Sequence, residues 1–183
     1  MNKIKKIKKI FNKNGYAVLR NFLSKSYLDE MDSDIKNLAK KNSFKNKLID
    51  IHFLKSGQLS SMHNILNYVP KYKNFAIKSG LNKVFKEIYG SESRHWCNLS
   101  YFYKAKKAGV ETKPHQDNAY FNLKPSQVFT CWIPTNDVTK KNSAMYYYKG
   151  SQKEGLFTHD LKGNLGASLN ISNKKIKIVK KKY

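Results

Sequence analysis

Two residues in the stretch KPHQDNAYFNL, residues 113–123, could do chemistry together: His115 and Asp117 stand two positions apart. In an extended segment side chains alternate faces, so both groups would point the same way and Gln116 between them would point elsewhere. A neutral imidazole nitrogen and a carboxylate oxygen, joined by a histidine from a distant strand, make the facial triad of non-haem Fe(II) centres. That arrangement leaves coordination positions open for reactants, so it suits redox chemistry better than a closed structural zinc site. The spacing alone is a weak witness. With five histidines and seven aspartates in 183 residues, His-x-Asp arises by chance roughly 0.2 times. A polar loop and a metal site both remain open on the spacing.

The composition is that of a chain able to bury one core. Aromatic residues make up 13% and hydrophobic residues 40%, enough for a single globular domain over residues 1–183. The formal net charge is +24, which would ordinarily point to nucleic acid or an anionic membrane surface. Only Arg20 and Arg94 are arginines, however, and Lys, Asn and Ile are abundant together. Nucleic-acid readers use arginine forks, so the lysines read as solvated faces and no nucleic-acid partner is expected. Cys97 and Cys131 form no spaced cluster; a reducing, cytoplasmic setting is expected. The opening MNKIKKIKKIF lacks the continuous apolar run of a secretory signal. It reads as a short amphipathic helix lying on the domain or on a membrane surface. No run is long and apolar enough to span a bilayer.

The elements that would position the pair follow from periodicity. GYAVLRNFLS (15–24) reads as a strand leading to a helix entrance. SKSYLDEMDSDIKNLAKK then places Leu28, Met31, Ile35 and Leu38 at helical spacing, with acids early and lysines late, as the helix dipole favours. Residues 42–69 carry no consistent period, and His52 and His63 read there as surface or packing histidines. Leu81, Val84, Phe85 and Ile88, closed by Gly90, predict a second helix. Beyond Gly90 the texture becomes strand-like: 95–104, 127–133, 143–149, 165–171 and 175–180 are aromatic or β-branched runs between turn residues. Helices first and strands afterwards predict an α+β chain, with a helical part over about 1–92 and a sandwich or barrel over about 93–183.

The flanks of the His-x-Asp pair narrow the reading. YFYKAKKAG before it, KPHQDNAYF around it, and KPSQVFTCWIPTNDVTKKNSAMYYYKGSQKEGLFTH after it resemble, in order, the phytanoyl-CoA dioxygenase family of Fe(II)/2-oxoglutarate oxygenases. GYAVLRNFLSKSYLDEMDSDI resembles the family's usual start. The resemblance implies helices packed on a double-stranded β-helix, or jelly roll, with Fe(II) held by His115 and Asp117 and 2-oxoglutarate and O2 as cosubstrates. It implies Trp132 and Ser100 as cosubstrate-lining positions, and Gln116 and Asn118 as residues facing a small-molecule substrate. The expected reaction is hydroxylation of an aliphatic C–H in a small molecule or acyl thioester. A carboxylate at residue 117 argues against halogenation, since chloride would need that coordination site.

The sequence departs from the family pattern in four places. Ser143 stands where a turn glycine is usual, and Gln152 where a histidine is usual. No histidine follows His159, and both arginines precede the motif, so the family's third ligand and its carboxylate-binding arginine have no counterpart. These departures predict a chain lacking the last strands of its barrel. The alternative they raise is a catalytically inactive jelly-roll fragment that acts as a binding or interaction module. The sequence says nothing of the oligomeric state.

Overall fold

The computed structural model describes residues 3–41, 50–90, 98–104, 112–125, 129–161 and 168–182. Two compact units emerge: Met1–Phe11 with Ala17–Ala105, and Asn12–Tyr16 with Lys106–Tyr183. Helix α1 (Lys3–Asn14) forms as its isoleucine spacing predicts, burying Ile7 while Lys5, Lys6 and Lys9 stay exposed.

In the first unit, GYAVLRNFLS forms no strand; residues 16–19 are irregular. Its serine does open a helix. Ser24 caps α2 (Lys25–Lys40), its hydroxyl accepting from the Tyr27 N–H at 3.2 Å, the usual way an orphan amide at a helix start is satisfied. Met31 and Ile35 are buried on the predicted stripe. The polar-looking stretch after Ile51 holds a hairpin that periodicity does not reveal: β1 (Ile51–Phe53) pairs antiparallel with β2 (Leu59–Met62), which pairs with β3 (Tyr101–Phe102). The register sets Ile51 against Met62 and Met62 against Tyr101. Ile51, Met62 and Ile65 bury together with Ile35 of α2. The hairpin's other face carries His52 and Ser61, and with so few apolar residues on three- and four-residue strands the alternation is too short to read.

Short helices α3 (Ile65–Tyr68) and α4 (Phe75–Lys78), with a 3-10 turn at Pro70–Asn74, lead to α5 (Leu81–Tyr89). Leu81, Val84 and Ile88 are buried, and Gly90 at φ 73° ends α5 with its N–H on the Lys86 carbonyl. This left-handed stop is the predicted one; glycine adopts it without the Cβ clash that other residues suffer.

The second unit is less regular. It contains α6 (Asn118–Phe121), the antiparallel pair β4 (His159–Asp160) and β5 (Asn170–Ile171), two 3-10 turns, and α7 (Asn173–Lys182). Two expected strands are corrected here. Residues 175–180 lie in α7, because Ile176 and Val179, three apart, are buried on one face while Ile178 is 52% exposed. The Ser172 hydroxyl accepts from the Lys175 N–H to start the helix, and lysines fill its last turn, where the dipole favours cations. Residues 143–149 form no strand. Their large side chains, Met145, Tyr146 and Tyr147, are about half exposed or more, and no ladder partner stands beside them among the described residues. β-propensity expresses fit to a half-buried pleated surface, which is missing there.

The described parts of the other runs are short as well. Residues 129–133 are irregular; 101–102 and 170–171 are strand. The observed architecture is thus a mixed helix and sheet protein with small antiparallel sheets. Among the described residues no helix is long and apolar enough to cross a membrane.

Candidate metal centre

The loop that carries His115 and Asp117 is not a strand. Residues 115 and 116 are irregular, and Asp117 already has helical dihedrals, φ −59° and ψ −31°, as the residue that enters α6. The expectation that alternation along an extended segment aligns the pair is therefore corrected. A turn into a helix brings the side chains together, and the chain after it is locked: the Ala119 N–H reaches the Gln116 carbonyl at 2.9 Å and the Tyr120 N–H the Asp117 carbonyl at 3.0 Å.

Four further hydrogen bonds hold the loop from behind. The Ile171 N–H donates to the Pro114 carbonyl at 3.0 Å. Gln116 donates its N–H to His159 Nε2 at 2.9 Å and its side-chain amide to the Gly155 carbonyl at 2.7 Å. Its side-chain oxygen accepts from the Phe157 N–H at 2.8 Å.

His115 Nε2 and Asp117 Oδ1 face each other at 3.3 Å, with both side chains partly accessible. His115 Nδ1 donates to the Lys113 carbonyl at 2.8 Å, which in the neutral ring leaves Nε2 as a bare lone pair. Asp117 Oδ2 accepts from the Thr130 hydroxyl, which leaves Oδ1 free to face the imidazole. Two lone pairs at this distance repel unless a proton or a cation lies between them. Adjacent corners of an octahedron whose donors sit about 2.1 Å from a divalent ion are about 3 Å apart, so the pair fits two such corners. Without an ion, the electrostatics favour a proton between the two groups. Asp117 holds the His115 imidazole above its usual pKa against the opposing effect of burial, with the Lys113 carbonyl assisting. His115, and to a lesser degree Thr130, hold the Asp117 carboxyl below its usual pKa.

The Tyr120 ring meets His115 edge-on at 5.9 Å, and its hydroxyl is fixed by Leu169. Tyr147 stacks on Tyr16 at 5.2 Å. Its hydroxyl is raised in pKa by burial and then by the nearby charge of Asp117. Among the described residues no group of three or more His, Cys, Asp or Glu side chains gathers to hold an ion. His159 lies beside the loop with both ring nitrogens engaged, Nε2 by Gln116 and Nδ1 by the Phe157 carbonyl.

The other residues singled out from the sequence fall as follows. Trp132, two positions from Thr130, is 43% exposed. Ser100 belongs to the first unit, where its hydroxyl is 3.0 Å from His63 Nδ1. Asn118 is buried and binds both the N–H and the carbonyl of Leu123, closing the turn that follows α6. Arg94 and Cys97 lie outside the described residues. The second unit contains no arginine.

Sequence reasoning missed Thr130 and the role of Gln116 as a strap. A hydroxyl thirteen residues from the carboxylate has no spacing signature, and an amide shows its partners only once 155–159 is folded beside it. Of the four departures two are substitutions, and of these Ser143 adopts φ 77° and keeps the left-handed turn without glycine. Gln152 donates to the Asn12 carbonyl at 3.0 Å.

Comparison with known proteins bears on the same region. A phytanoyl-CoA dioxygenase (PhyH) family model matches residues 11–175. A phytanoyl-CoA dioxygenase of Arabidopsis thaliana is 27% identical over 108 residues, 59% of this chain and 38% of that protein. Phytanoyl-CoA dioxygenase 1 of Oryza sativa subsp. japonica is 27% identical over 94 residues, 51% of this chain and 33% of the relative. A phytanoyl-CoA dioxygenase domain-containing protein 1 homolog of Dictyostelium discoideum is 24% identical over 181 residues, 80% of this chain and 64% of its own length. The chain thus spans between about a third and just under two thirds of the length of these relatives. No solved structure matches at a significant level. With the match covering nearly all of its length and enclosing the His115 loop, the chain belongs to the phytanoyl-CoA dioxygenase family.

Proposed function

We propose that the chain is an Fe(II)- and 2-oxoglutarate-dependent dioxygenase that hydroxylates an aliphatic C–H of a small molecule or acyl thioester, on a double-stranded β-helix framework. One observation carries the reading: Nε2 of His115 and Oδ1 of Asp117 converge at 3.3 Å, while their other polar atoms are tied to Lys113 and Thr130. Iron bound there, with 2-oxoglutarate, would supply the oxidising power drawn from O2. His115 contributes a neutral donor, and Asp117 a charge that offsets part of the ion's. Thr130 keeps the carboxylate turned so that one oxygen binds, and the Tyr120 ring limits how far the imidazole can swing. Within the second unit Trp132 is the proposed cosubstrate-lining position, and Gln116 and Asn118 the proposed substrate-facing ones; the hydrogen bonds of both amides to backbone make them equally supports of the loop.

A second reading, an inactive jelly-roll module that binds a partner, draws on the missing third donor among the described residues. Anaerobic Fe(II) titration of wild type and His115→Ala separates the two. Binding that is tight and lost in the variant, with succinate formed only when 2-oxoglutarate and O2 are present, supports the oxygenase. Absence of any His115-dependent binding overturns it in favour of the module.

A further inference from the structure

We propose that His159 is a positioning residue whose Nε2 lone pair holds the backbone between the two ligands, and is not itself a third ligand. The inference rests on the metal reading of His115 and Asp117 and extends it to the segment that supports them.

The ring's tautomer follows from its contacts. Nδ1 lies 2.8 Å from the Phe157 carbonyl, which only accepts, so Nδ1 carries the proton. Nε2 is then an acceptor, and the Gln116 N–H meets it at 2.9 Å. An imidazole used this way has no lone pair left for an ion. His159 is itself held in register by β4–β5, opposite Ile171, and the Ile171 N–H binds the Pro114 carbonyl. Pro114, Gln116, His159 and Ile171 therefore form a closed ring of backbone and imidazole contacts around His115. The Gln116 side chain adds a second tie, bridging the Gly155 carbonyl and the Phe157 N–H. The residue between the ligands thus sends its N–H and both atoms of its side-chain amide to 155–159, while its carbonyl closes the turn into α6 with the Ala119 N–H; the imidazole supplies the partner of its backbone N–H. Groups that orient ligands in this way commonly govern metal affinity by about 10–100-fold.

The test uses the full chain as wild type, His159→Gln, His159→Leu and His115→Ala. Two quantities are read: amide hydrogen exchange at Gln116, with Met62 of the first unit as a folding control, and affinity for Co(II) alone by visible absorption. Glutamine can present an acceptor oxygen near the Nε2 position; leucine cannot. Exchange at Gln116 is expected to speed up at least about tenfold in His159→Leu, with Met62 unchanged, and to stay within about threefold of wild type in His159→Gln. Co(II) affinity should fall about 10–100-fold in the leucine variant and be retained in the glutamine variant. Unchanged Gln116 exchange in His159→Leu overturns the proposal. Loss of Co(II) binding in His159→Gln as complete as in His115→Ala overturns it too, marking His159 as a ligand. If wild type binds no Co(II), the metal reading fails and the positioning role fails with it, while the exchange data still decide the hydrogen bond by itself.

Discussion

Consider the metal-free protein, kept so with a chelator, and remove one half of the His115–Asp117 pair. At the observed 3.3 Å separation, Coulomb's law gives about 1.3 kcal/mol in water and about 5 kcal/mol at an effective dielectric of 20. The side chains are 24% and 36% exposed, so the upper figure must be discounted for solvent screening. A coupling of about 1–2 kcal/mol remains, near the lower range of hydrogen bonds to charged groups. The pH dependence has a definite sign. His115 has a raised pKa, so its share is complete below the ordinary histidine value of 6.5 and disappears as pH climbs through the raised one. Asp117 has a lowered pKa, so its share is complete above the ordinary 3.8 and disappears as pH falls through the lowered one. The coupling should therefore be full at pH 5.5 and close to zero at pH 9. Urea unfolding of wild type, His115→Gln, Asp117→Asn and the double variant at both pH values measures it as a double-mutant cycle. A coupling equal at the two pH values, or absent at pH 5.5, would show that the groups do not face each other as charges, and the metal reading would lose its geometric basis.

Thr130→Val should weaken Co(II) binding by about 10–100-fold while Thr130→Ser restores it, because the hydroxyl orients the carboxylate; equal affinity in all three proteins refutes that role. Met62→Ala, at a position only 1% exposed within the first unit's core, should cost about 2–5 kcal/mol in urea unfolding. Removing the cap with Ser24→Ala should cost about 1 kcal/mol, seen as a lower midpoint at unchanged slope. Ser143→Gly should stabilise by about 0.5–1 kcal/mol, since φ 77° strains any side chain by more than the extra freedom glycine gains on unfolding.

The legible parts of this chain were those in which a local rule and the tertiary outcome agree. α2 has its serine cap and a four-residue apolar stripe, α5 has its glycine stop, and both formed where expected. The β1–β2 hairpin was hidden because its strands are only three and four residues long and their second face carries the polar pair His52 and Ser61. Residues 175–180 alternate Lys and Ile like a strand, yet Ile176 and Val179 also satisfy helical spacing, and only the surface they bury decides between periods. The same holds at the site. His115 and Asp117 could be picked by type and spacing, with the family resemblance pointing the same way. The geometry that aligns them, a helical turn at Asp117 and supports from Thr130, Gln116 and His159, depends on contacts 13 to 43 residues away.

Gly155 has φ 73° and ψ −164°, a region open essentially to glycine alone, and its carbonyl is the one that receives the Gln116 amide. A change of residue there, forty positions downstream of His115 and with no polar side chain of its own, would tilt that carbonyl and slacken the strap behind His115 and Asp117. Anyone transplanting the three-residue motif into another scaffold would need to carry this bend, and the stretch through residue 159, along with it.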